Sequence, residues 1–105
     1  MMIPKDLDKI LKIVKNIISL KEVYLFGSYA YGTPNEASDF DLYFVVDKID
    51  GDKYETIIKI RKAIYKITSK SVDILLNTKE MFDYRAINKS TLEYKILKEG
   101  VRLYG

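Results

Sequence analysis

Within residues 6–20 the apolar side chains Leu7, Ile10, Leu11, Val14, Ile17 and Ile18 recur every three or four positions. That spacing lines one face of a helix, with Pro4 near its start. The charged pair Lys21-Glu22 breaks the pattern, and residues 23–26 read as a short buried strand. Residues 27–38 hold Gly, Thr, Pro, Asn and Ser, and predict a loop with room for one helical turn. A second strand is expected over 39–46, a turn through Asp50-Gly51-Asp52 over 47–53, and a helix over 54–68 whose core face carries Ile57, Ile60, Ile64 and Ile67. Residues 71–76 read as a third strand, and Asn77-Thr78 can cap a short helix running to about residue 84. A last helix spans 91–99, stopped by Gly100, and residues 101–104 follow as a short strand or extended tail. Strands alternate with helices and neither repeats nor linkers interrupt them. The expectation is one α/β domain, residues 1–105, built on a small sheet.

Composition narrows the chemistry. Apolar residues at 48% and charged residues at 31% describe a globular chain with a core. It has no apolar run of membrane-spanning length, and its N-terminal segment lacks the uninterrupted apolar stretch of a signal peptide, so a cytoplasmic location is expected. The absence of Cys excludes disulfides and thiolate catalysis, and the absence of His excludes imidazole-bound zinc and a histidine base. Carboxylates, hydroxyls, Lys and Arg remain, the ligand set of a hard, oxygen-seeking cation. The net charge of +3 arises from cations spread evenly along the chain, only three of them Arg (Arg61, Arg85 and Arg102). Without a basic block, no direct nucleic-acid binding is expected.

Against this background three aspartates stand in or beside segments that otherwise read as buried strands: Asp39, Asp41 and Asp73. Asp is depleted in strands and costly to bury, so chemistry is the better reason for its presence. Residues two apart on a strand share a face, so Asp39 and Asp41 project together with Tyr43 behind them, while Phe40, Leu42 and Phe44 face the other way. Two adjacent carboxylates repel unless a cation sits between them. If the strand holding Asp73 is a neighbour, the three complete a site for two divalent ions, which suit an in-line phosphoryl displacement. Upstream, an apolar strand runs into Gly27-Ser28. Gly allows close backbone approach to a phosphate, the start of a helical turn offers free N–H groups, and the Ser28 hydroxyl adds a donor. Ser38 stands beside the carboxylates as a further donor.

The segments Leu25-Phe26-Gly27-Ser28-Tyr29-Ala30-Tyr31-Gly32 and Ser38-Asp39-Phe40-Asp41-Leu42 closely resemble the signature of the polymerase-β-like nucleotidyltransferase superfamily. The small size and the closing residues 96–104 resemble its minimal nucleotidyltransferase branch, often encoded beside a helical HEPN-domain protein. The resemblance implies a small mixed sheet flanked by helices and transfer of AMP from ATP. It implies that Gly27 and Ser28 hold the triphosphate and that Asp39 and Asp41 bind two magnesium ions. Asp73 would bind one of these and help activate the acceptor hydroxyl. It also implies an antitoxin role, with a tyrosine of the HEPN toxin as acceptor. One position departs: the branch commonly has Arg where this chain has Tyr31, and a phenol cannot replace that fork of charged donors.

Two other readings stand beside this one. The acceptor can be a small hydroxylated molecule such as an aminoglycoside, or the chain can be a catalytically weak module that inhibits its partner by docking. The nine tyrosines suit amphipathic core edges or a protein interface, homo- or hetero-oligomeric.

Overall fold

The computed structural model describes residues 5–33 and 39–105. Helix α1 (Lys5–Lys15) is followed by strand β1 (Leu20–Phe26), the single-turn helix α2 (Ser28–Tyr31), β2 (Phe40–Val46), α3 (Lys53–Tyr65), β3 (Val72–Thr78), α4 (Lys79–Ala86), α5 (Leu92–Glu99) and β4 (Val101–Tyr104). The strands form one sheet in the order β3-β2-β1-β4. β2 runs antiparallel to β1 and parallel to β3, and β4 is antiparallel to β1, so the sheet is mixed. No helix among the described residues is long and apolar enough to cross a membrane.

Both faces of the sheet are covered, and the period-two alternation of β2 decides what covers each. Phe40, Leu42, Phe44 and Val46 point into the larger core with Leu7, Ile10 and Val14 of α1 and Ile60 and Ile64 of α3. Tyr43 and Val45 point the other way, into a smaller cluster with Tyr24, Phe26, Phe82 of α4 and Ile96 of α5. There Phe82 stacks on Tyr24 with ring centroids 5.4 Å apart and meets Tyr43 edge-on at 5.1 Å, two geometries that the aromatic quadrupole favours. Side-chain caps start three of the helices, and the one at Thr78 is where the sequence suggested it. Thr78 accepts from Met81 N–H, Thr91 from Tyr94 N–H and Asp52 from Tyr54 N–H.

Four boundaries differ from expectation; one is the end of α3, at Tyr65 and not at residue 68, because the N–H groups of Ile67 and Thr68 both turn back to the Ile64 carbonyl. Helix α1 stops at Lys15, not at residue 20, because the N–H groups of Ile17 and Ile18 both turn back to the Val14 carbonyl. Ile18 nevertheless packs on the core from that turn, which is why its spacing still looked helical. β1 begins at Leu20, paired with Val46, and so includes Lys21 and Glu22. Glu22 is buried there, its carboxylate 3.0 Å from Lys79 Nζ and 3.8 Å from Arg102. β3 runs on through Thr78, with Thr78 serving as the cap of α4.

Candidate active site

The strand pairings bring the sequence-predicted residues to one end of the sheet. In the antiparallel β1–β2 ladder Phe26 lies opposite Asp41, so Gly27 leaves the sheet beside that carboxylate. In the parallel β2–β3 ladder Asp41 lies opposite Asp73. Gly27 is bound to be glycine on two counts. Its φ of 71° lies in the left-handed region. A Cβ there would also fall onto Oδ2 of Asp41 and lie 2.8 Å from its Cγ, so the turn closes directly over the acid. The N–H groups of Ser28 and Tyr29 precede the first bonds of α2, which run from Ala30 and Tyr31 to the Gly27 carbonyl.

Asp41 ionises reluctantly in this setting. Burial, a hydrogen bond to the Asp73 carboxyl, and the charges of Asp73 and Asp39 together raise its pKa from 3.8 to about 6. Asp39 is exposed and immediately precedes β2. The expected triad thus stands as two carboxyls in contact and a third close enough to act on the ionisation of the first. Among the described residues no three acidic side chains are yet grouped closely enough to hold a metal ion. Ser38 lies outside the described residues.

The donor set fits a divalent cation. Two hard-oxygen groups already touch, and they cannot both ionise at low cost without a positive charge between them.

Around this centre lie pairings that sequence reasoning passed over. Tyr43, two residues along β2 from Asp41, donates its hydroxyl to Glu93 Oε2 at 2.7 Å. Glu93 is buried on α5, and its Oε1 lies 3.1 Å from Arg85 Nε in an ion pair without hydrogen-bond alignment. Burial alone would raise the pKa of Glu93, but the hydrogen bonds from Tyr43 and its own backbone and the positive charge of Arg85 outweigh that and hold it below the usual carboxylate range. Burial and the bond to Glu93 push the Tyr43 phenol well above its ordinary value, so it remains a neutral donor. Lys95 of α5 holds its ammonium 4.6 Å above the Tyr31 ring, and the Lys70 ammonium lies 5.5 Å from the Tyr29 ring and 5.4 Å from that of Phe40. The tyrosine that stands in place of a loop arginine therefore carries a cation from elsewhere in the chain. Pairs thirty or more positions apart leave no local sequence signal, and Glu93, in the first turn of α5, reads from the sequence as an ordinary acid at a helix start.

Residues 7–100 match the model of the nucleotidyltransferase domain. A Methanocaldococcus jannaschii protein, provisionally named a protein adenylyltransferase, is 31% identical over 82 residues, which cover 78% of this chain and 80% of that protein. A provisionally named nucleotidyltransferase from Sulfolobus solfataricus superposes with a TM-score of 0.58 at 26% identity, over 76% of this chain and 70% of that one. The MntA–HpeT toxin–antitoxin complex, in a double-mutant form, gives a TM-score of 0.62 at 21% identity over 93% and 72% of the two chains. A toxin–antitoxin structure with AMP-PNP gives 0.59 at 24% identity over 97% and 74%. At these last two identities the likeness concerns the fold. The resemblance read from the Gly-Ser loop and the Asp-x-Asp strand thus extends along the chain and to the arrangement of its sheet.

Proposed function

This chain belongs to the nucleotidyltransferase-domain family, and on that premise we propose that it moves AMP from ATP onto a tyrosine hydroxyl of a HEPN-domain toxin, acting as its antitoxin in the cytoplasm. The observation that carries this reading is the contact between Asp41 and Asp73, closed on one side by Gly27. Gly27 and Ser28 hold the triphosphate, with Ser38 as a further donor. Asp39, Asp41 and Asp73 hold the magnesium ions, two in number, whose charge offsets that of the phosphates. Asp73, on the strand away from the triphosphate, takes the proton from the acceptor hydroxyl. The acceptor oxygen then bonds to the α-phosphorus while the bond to the bridging oxygen breaks, and pyrophosphate leaves with that electron pair. Toxin–antitoxin assemblies among the structural neighbours support the choice of partner, and the nucleotide analogue in one of them supports ATP as donor.

The test is incubation of the pure protein with labelled ATP, magnesium and the product of the adjacent gene. Transfer adds roughly 329 Da per AMP to the partner, a shift set by the covalent chemistry. Asp39→Asn should remove the shift, because an amide lacks the charge that holds the cation, while leaving docking intact. If the Asn variant neutralises the toxin with no mass change, inhibition is by binding alone and the enzymatic reading of the antitoxin role fails.

A further inference from the structure

In-line displacement fixes the side from which an acceptor must come, given the function just proposed. The sheet order places β1 on one side of β2 and β3 on the other. Gly27 and Ser28 follow β1, and Asp73 lies on β3. With the triphosphate over Gly27-Ser28, pyrophosphate departs on the β1 side. Attack opposite the leaving oxygen therefore comes from the β3 side.

On that side the protein holds a cavity of about 630 Å³, within the roughly 300–1,000 Å³ of small-molecule sites. It begins at Leu75, the next residue after Asp73 on the same face of β3, roughly 7 Å along the strand. Leu75 and Met81 stand open in its wall, 38% and 44% exposed. Apolar side chains left open beside a reaction centre cost solvation and are usual where a partner covers them. The polar part of the lining is preset: Glu93, 5% exposed, fixes Tyr43 through one oxygen and Arg85 through the other. With Lys53 on the α3 side, the lining carries two cations against one carboxylate.

We propose that this cavity seats the polypeptide segment that presents the acceptor tyrosine, an apolar stretch with an acidic residue beside the tyrosine. The apolar side chains of that segment cover Leu75 and Met81, its acidic group faces Arg85 and Lys53, and the tyrosine hydroxyl reaches Asp73. The arrangement explains how the domain selects a protein acceptor: the partner itself covers the open wall of the cavity.

The variants Leu75→Lys and Met81→Glu test this, since both side chains are already open to solvent and neither is needed by the core. Rates of AMP transfer to the HEPN-domain partner are measured while ATP and partner are varied in turn. The expected result is a KM for the partner raised tenfold or more by each change, with the KM for ATP within twofold of wild type. A raised KM for ATP with the partner's unchanged would mean that the cavity holds the nucleoside, and would overturn the proposal, as would no change in either. A wild-type protein that transfers no AMP to the partner refutes the proposed function instead. Binding then decides the docking claim: Leu75→Lys must weaken the complex tenfold, and equal affinity overturns it.

Discussion

The contact between Asp41 and Asp73 has a measurable cost in the absence of metal, and Asp41→Asn reads it directly. An amide keeps the shape of the neutral acid and can still donate to Asp73, but it never ionises. In the folded protein the Asp41 carboxyl titrates at about 6 instead of 3.8. At ~1.4 kcal/mol per tenfold change in proton affinity, that difference is worth at most ~3 kcal/mol. Asp41 is only partly withdrawn from water, so screening reduces the figure to ~1–2 kcal/mol. The sign follows from proton binding. Between pH 4 and 6 the folded state holds more protons at this position than the unfolded chain, so the contribution favours folding below about pH 4 and is lost as pH rises through about 6. Above that, the ionised acid repels its neighbours and the Asn variant does not. In EDTA at pH 7.5 the variant should therefore be more stable than wild type by ~1–2 kcal/mol, a rise in Tm of roughly 5–10 °C for a domain of this size. At pH 4 the two should unfold together. Magnesium should raise the Tm of the wild type and leave the variant nearly unmoved. A variant less stable than wild type at pH 7.5, or a gap that persists at pH 4, would show that Asp41 is not strained by its neighbours.

Gly27→Ala combines a left-handed backbone with a methyl group placed onto the Asp41 carboxyl. The backbone alone costs ~1–2 kcal/mol, and urea unfolding should show at least that loss together with abolished transfer; unchanged activity would separate the Gly27 turn from the carboxylate. Lys95→Ala should raise the KM for ATP several-fold with no change in Tm, because the ammonium over the Tyr31 ring offers the charge that a loop arginine would supply, and an unaffected KM would remove Lys95 from the triphosphate site.

How far the chain could be read from its residues depended on whether a signal was local. β2 was legible because alternation in a strand covered on both faces sorts each side chain unambiguously: Phe40, Leu42 and Phe44 to one core, Tyr43 to the other. Asp41 and Asp73 were legible because aspartate is out of place in such strands, and the strand pairing sets them opposite each other. The end of α1 was not, since Ile17 and Ile18 keep helical spacing while the chain has already turned at Val14. Nor was the start of β1, where two charged residues hide a paired segment. Glu22 is tolerated in that strand because Lys79, fifty-seven positions later, closes on it at 3.0 Å, and Lys79 is held in turn by Asp83. A partner so distant in sequence changes what a position can bear without altering the pattern around it.

The unequal cover on the two faces of the sheet is what makes a site at all. On one face α1 and α3, 11 and 13 residues long, bury β2 from Phe40 to Val46. On the other, α4 and α5 have only eight residues each, and their cover reaches Tyr43 through Phe82 but stops short of Asp41 and Asp73. The strand therefore passes from a packed core to an open acidic end within two residues. Tyr43 is held at that boundary by the Phe82 ring and by its 2.7 Å bond to Glu93, and a charge-assisted bond of this kind is worth ~1.5–3 kcal/mol. Because backbone register in a strand moves every side chain together, fixing Tyr43 also fixes Asp41 against Asp73. The repulsion between those carboxyls cannot be relieved by sliding the strand, only by a proton or a cation. Leu75 and Met81 stay exposed on the side of β3 from which the proposed acceptor approaches, so the short cover and the reactive edge are one feature of the fold.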